Sequence, residues 1–131
     1  MKLLLDTHIW LWGLLEPSRL GRRTAAALDD AANELWLSPI SVWEALMPAE
    51  RGRVALVPDA ERWVRASLER LPFREAPLNA EVARASRALK SPSDDPADRF
   101  LAATARVYDL TLVTADTRLR RIPRVTVLPN T

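Results

Sequence analysis

Lys2-Leu3-Leu4-Leu5-Asp6-Thr7-His8-Ile9-Trp10-Leu11-Trp12 reads as a short apolar strand, an acidic turn and a nearly all-apolar helix. Lys2–Leu5 does not alternate polar with apolar. A run of that kind suits a strand covered on both faces, as in parallel sheets. The following helix is expected over His8–Leu15, a buried helix with Ile9, Trp10, Leu11, Trp12, Leu14 and Leu15 as its apolar residues, and Pro17 stops it. The same order of strand, then helix, recurs along the chain. Strands are expected at Leu35–Ser38, Phe73–Ala76, Leu110–Val113 and Val125–Leu128. Helices are expected at Arg19–Ala32, Ser41–Arg51, Pro58–Leu71, Leu78–Leu89, Pro96–Tyr108 and Ala115–Arg121, where apolar residues step by three and four. Strands alternating with helices call for crossover connections and a parallel sheet, hence an α/β fold. With 131 residues, 48% of them hydrophobic, a single domain over 1–131 with a real core is expected.

In such sheets ligands sit beyond the carboxyl ends of the strands, and that is where the acids fall. Asp6 follows the first strand directly. Glu44 lies six residues after the strand ending at Ser38. Asp116 follows Leu112-Val113-Thr114 by two residues. Asp98 enters from a helix start, after the polar loop Lys90–Asp95. Each acid also has an ordinary structural use. Asp6, Asp98 and Asp116 stand where helix N-termini favour carboxylates. Ser41-Val42-Trp43-Glu44 fits a capping box, and Asp95-Pro96 fits a cap followed by proline at the first helical position. The conjunction argues for more. Thr7, Ser38, Ser41 and Thr114 are already available as caps, and carboxylates gathered within roughly 4 to 6 Å raise one another's pKa. A divalent cation relieves that repulsion. Oxygen-only donors suit a hard ion, Mg²⁺ or Mn²⁺, which activates water and assists displacement at a phosphodiester.

Other chemistries are excluded or disfavoured. Cysteine is absent, which removes disulfides and thiolate metal sites. The 3 glycines form neither a dinucleotide-binding nor a P-loop pattern. A phosphoaspartate enzyme built on Asp6 needs an acid where His8 stands, or a late lysine, and the last lysine is Lys90. The net charge is +2, yet 17 of the 19 basic residues are arginine, a side chain that forks onto phosphate. Of these, Arg99, Arg118, Arg120 and Arg121 stand close to acids in sequence and are placed to steer phosphate or simply to be solvated. No apolar run approaches the roughly 20 residues that span a bilayer, and the short leucine run ends in a charge, so a soluble, cytoplasmic protein is expected.

Leu3–His8, Ser38–Glu44, Asp95–Ala105 and Leu112–Asp116 resemble, in order and spacing, the four motif blocks of PIN-domain nucleases, and most closely the VapC-like toxins of type II toxin–antitoxin pairs. The resemblance covers essentially the whole chain. It implies a three-layer α/β/α fold with a five-stranded parallel sheet and a Mg²⁺- or Mn²⁺-dependent endoribonuclease that leaves a 5′-phosphate and a 3′-hydroxyl. It further implies a homodimer and a cognate antitoxin protein. Carried over by position, Asp6 and Asp98 resemble the principal metal ligands, and Glu44 and Asp116 complete the acidic pocket, directly or through water. Thr7 and Thr114 are expected to orient carboxylates, and Asp95 to stand at the rim. The alternative is a catalytically silent PIN-like module that binds RNA or a partner. Pro48 departs from the family pattern: it removes the hydrogen bond to the Glu44 carbonyl, so the helix kinks or ends early, which leaves open whether Glu44 reaches a metal. Trp43 is expected to pack under Glu44. Of Trp10 and Trp12, one is expected in the core and the other is open to a partner.

Overall fold

The computed structural model describes residues 1–47 and 56–131. Five parallel strands form one sheet: β1 Lys2–Leu5, β2 Glu34–Leu37, β3 Arg74–Glu75, β4 Thr111–Thr114 and β5 Val127–Pro129. Their order is β3-β2-β1-β4-β5. The chain therefore builds outward from β1 in one direction, returns, and continues on the other side. Leu5 of β1 lies opposite Val113 of β4, so the carboxyl ends of these two strands stand side by side at the reversal.

Helices cover both faces, giving three layers. Successive β1 residues alternate between the two cores. Leu3 and Leu5 pack with Ile9, Trp10 and Leu11 of α1 (Thr7–Leu15), Ala45 of α3 (Pro39–Leu46) and Val64 of α4 (Ala60–Arg70). Leu4 packs with Val82 of α5 (Ala80–Ala88) and Leu101, Ala102 and Ala105 of α6 (Pro96–Val107). This two-residue period with apolar groups on both sides is why the strand lacks polar positions. α2 (Arg22–Asp29) completes the first half of the chain. The expected α/β/α architecture is thus observed, with most ends shifted by a few residues.

Two shifts bear on the site. α3 begins at Pro39, not Ser41: Ser38 is the cap, its Oγ accepting the Ile40 N–H at 3.1 Å, with Pro39 in the first turn. Ser41 lies inside the helix, so the capping box read between Ser41 and Glu44 does not form. α3 then ends at Leu46. Met47 is extended and donates its N–H to the Glu44 carbonyl at 3.1 Å. A residue before proline favours that extended state. The Pro48–Arg51 part of the expected helix lies outside the described residues. The other shift is after β4, where Thr117–Arg121 forms a 3-10 turn in place of an α-helix.

Candidate active site

The reversal of strand order brings Asp6, Asp98 and Asp116 within electrostatic reach of one another. Asp6 leaves β1 and is anchored across the sheet, its N–H donating to the Val113 carbonyl at 2.9 Å. It occupies the N-cap position of α1 without a regular side-chain cap hydrogen bond. Instead Asp6 Oδ2 accepts the Thr114 hydroxyl at 2.6 Å, and the same Thr114 Oγ1 accepts the Asp116 N–H at 3.0 Å. Asp6 is 9% exposed. Burial pushes its pKa above the usual carboxylate range, Thr114 and His8 oppose that, and Asp116 adds to it. Asp98 enters from the first turn of α6, where Asp95 is the cap and accepts the Ala97 N–H at 2.9 Å. Asp98 Oδ2 accepts the Ser93 hydroxyl at 2.8 Å. Burial pushes its pKa up to about 6, with Asp95, Asp6 and Asp116 adding to the rise.

Asp116 behaves differently. It caps the 3-10 turn, accepting the Arg118 N–H at 2.9 Å. Both of its oxygens are also held by the Arg118 guanidinium, Nε to Oδ1 at 3.1 Å and Nη2 to Oδ2 at 2.8 Å. These bonds hold its pKa below the usual range. The same Nη2 stands 3.8 Å from Asp98 Oδ2. Glu44 joins the site through Thr7: the Thr7 hydroxyl lies within hydrogen-bond distance of both Glu44 Oε1 and Ser41 Oγ. It is therefore next to Asp6 in the chain of contacts, one residue removed. A cavity of about 520 Å³ opens beside Asp116, lined by His8, Trp12, Arg19 and Ala115. His8 and Trp12 rings stand 5.6 Å apart, and the Arg19 guanidinium lies 4.7 Å from the centre of the Trp12 ring.

Two expectations need correction, and an alternative left open between Trp10 and Trp12 is decided. Trp43 does not pack under Glu44; it is 54% exposed. Ser41 and Ala45 are the buried positions of α3, and a residue two past Ser41 points roughly opposite. Arg99 does not face the acids. Its guanidinium donates to the carbonyls of Ser86 at 3.0 Å and Leu89 at 2.9 Å, satisfying the end of α5. Trp10, not Trp12, is the core tryptophan, 1% exposed. Ser93 was missed as a partner of Asp98. Its only sequence signal was a hydroxyl in the loop leading to Asp95-Pro96.

A family model for the PIN domain matches residues 3–125. The chain is also 38% identical to ribonuclease VapC22 of Mycobacterium tuberculosis over 124 residues, 92% of this chain and 93% of that protein. The chain belongs to the PIN-domain family. Solved structures share this PIN fold. VapBC2 from Rickettsia felis, bound to a DNA fragment from its promoter, superposes with a TM-score of 0.71 at 18% identity, over 98% of each chain. FitAcB from Neisseria gonorrhoeae gives 0.68 at 27% identity, over 98% of this chain and 97% of that one.

Whether this PIN domain suits a divalent cation is decided by its donors. Asp6, Asp98 and Asp116 supply oxygen alone, and two of the three have pKa values raised partly by their neighbours. That is the chemistry of a hard-ion site. As the side chains lie, no three of the described His, Asp and Glu residues stand together closely enough to hold an ion. Arg118 stands between Asp98 and Asp116, supplying positive charge to both. The donor set is of the kind that suits a hard ion such as Mg²⁺ or Mn²⁺, while the described side chains as they lie do not close around one.

Proposed function

We propose that this chain is a divalent-metal-dependent endoribonuclease acting as the toxin of a type II toxin–antitoxin pair. One observation carries the reading: a buried carboxylate, Asp6, shares the strand-order reversal with Asp98 and Asp116, and burial and mutual repulsion disfavour its charge. Its likeness to a protein named as a ribonuclease supports RNA as the substrate. Asp6 and Asp98 would hold Mg²⁺ or Mn²⁺, with Asp116 and, directly or through water, Glu44. The ion, when bound, supplies charge neutralisation at the phosphate and a more acidic water. The protein's own part is positional. Thr114 orients the Asp6 carboxylate, Ser93 orients Asp98, and Thr7 orients Glu44. Asp95 serves as the cap of α6 at the rim, which sets the direction of Asp98. Hydrolysis would leave a 5′-phosphate and a 3′-hydroxyl.

A homodimer and a cognate antitoxin complete the proposal, both on the strength of the VapC likeness. Cytoplasmic residence follows from the same role. Among the described residues no helix is long and apolar enough to cross a membrane.

The test is cleavage of end-labelled RNA by purified protein. Cleavage should require Mn²⁺ or Mg²⁺, stop with EDTA, and fall at least about a hundredfold in Asp6→Asn. Cleavage that ignores EDTA, or survives Asp6→Asn, sinks the metal reading. Induced expression should arrest growth, and Asp6→Asn should not. A second reading, a silent RNA- or partner-binding module, is favoured by the Arg118 pairing, which neutralises part of the acid cluster internally. RNA binding without cleavage at saturating Mn²⁺ would establish it instead.

A further inference from the structure

We propose that Arg118 competes with the divalent cation for Asp98 and Asp116, and that its displaced guanidinium then binds the RNA phosphate at the same site. The inference rests on the metal-dependent reading above and deepens it. Its footing is geometric. Arg118 engages both oxygens of Asp116, at 3.1 and 2.8 Å, and reaches Asp98 at 3.8 Å. Asp116 Oδ1 also accepts the Arg118 backbone N–H, so at least three of about four lone-pair sites on that carboxylate are in use. An ion cannot take Asp116 through those sites while the guanidinium stays.

The arrangement is built to let go. The Arg118 side chain is 54% exposed, and exposed ion pairs are weak. Its backbone is held: the turn Thr117–Arg121 is pinned by the fully buried Leu119. The side chain therefore swings from a fixed point. A dication carries twice the charge into the same carboxylates and wins the exchange. The released guanidinium stays tethered within a side chain's length of the site. It is planar and forked, and the geometry that fits a carboxylate also fits a phosphate. Arg99, the nearest alternative by sequence, is committed to the carbonyls of α5.

The exchange predicts opposite effects of one substitution on two ligands. Free Mn²⁺ is counted by electron paramagnetic resonance during titration of the full chain at pH 7.5. Arg118→Ala should bind Mn²⁺ about tenfold more tightly than wild type, the effect of removing one nearby positive charge and competitor. With Ca²⁺ present, the same variant should bind an RNA oligonucleotide carrying a non-cleavable backbone about tenfold more weakly. Arg118→Lys should fall between. Arg118→Gln, uncharged and closer in length, gives the same readings should the alanine variant unfold. Arg120→Ala removes an equal charge from the same turn and should change Mn²⁺ affinity less than twofold. Unchanged or weaker Mn²⁺ binding in Arg118→Ala overturns the proposal, as does equal tightening in Arg120→Ala or undiminished RNA binding. If wild type itself binds no Mn²⁺, the metal reading falls and the exchange with it; if wild type binds and Arg118→Ala is unchanged, the exchange alone falls.

Discussion

Asp6 is asked to be buried and to be charged, and those demands oppose each other. Its neutral form suits the metal-free protein, because burial dominates its surroundings. Asp6→Asn keeps the shape and can still accept the Thr114 hydroxyl. In EDTA at pH 7.5 the variant should melt several degrees above wild type, while losing cleavage. The gap should close as pH falls, because wild-type Asp6 then takes up its proton. A lower melting temperature for Asp6→Asn across the whole range would refute the account. Asp98 makes the complementary prediction. Its pKa is raised from 3.8 to about 6, so the folded state binds the proton more tightly than the unfolded state. The resulting stability is full below about pH 4 and is lost as pH rises through 6, on the order of 2–3 kcal/mol. Asp116 has the opposite sign: its lowered pKa contributes above about pH 4 and is lost below. Metal-free protein should therefore lose stability as pH rises from about 4 through 6 when melted in EDTA, and Asp98→Asn should flatten that slope.

At the scale of elements, the site depends on how α1 is held, since α1 starts at Thr7 and follows Asp6 without a linker. Trp10 is its anchor. The indole N–H donates to Ser67 Oγ of α4 at 3.0 Å, and the ring lies against Trp63 and Phe73 at 5.6 and 6.5 Å. Ser67→Ala leaves a buried donor without its acceptor, at about 1–2 kcal/mol, which is roughly 5 °C in a chain of this size. Because the bond ties α1 to α4 and engages none of the acids, Mn²⁺ affinity should hold within about twofold. A large loss of affinity with an unchanged melting temperature would show that Trp10 tunes the acids directly. The elements themselves were largely legible. β1 was read to the residue because Lys2–Leu5 is bounded by charge on both sides. β3 is only Arg74–Glu75, since pairing with Trp36 and Leu37 defines it and no local pattern does. Pro48 announced a disturbance after Glu44, but whether α3 kinks or stops depends on what Met47 does with its N–H, which is a matter of tertiary context. Trp43 was misread for a simpler reason: its angle from Ser41 and Ala45 already placed it outward.

Across the whole molecule, the acids meet because of the strand order, and the strand order was not written in any one segment. The sequence placed Asp6, Glu44 and Asp116 after strands, yet adjacency of β1 and β4 is a property of the sheet. Hydroxyl partners were partly visible: Thr7 and Thr114 stand within two residues of acids, whereas Ser93 reaches Asp98 five positions further along the chain. The Arg118 contact was hidden, because an arginine two residues from an acid can equally turn to solvent. The same assembly links site to stability. A fold whose central strands end in mutually repelling carboxylates is under tension there, and an ion bound only by the folded state, as proposed, would relieve it. At a Mn²⁺ concentration about a hundred times its dissociation constant, that linkage adds about 2.7 kcal/mol, or roughly 8–12 °C. The shift should shrink as pH is lowered from 7.5 to 5.5, because Asp6 and Asp98 must give up protons to admit the ion. It should vanish in Asp6→Asn and persist in Ser67→Ala, whose damage lies elsewhere. A melting temperature that ignores Mn²⁺ at every pH would mean that the three acids never act as one site.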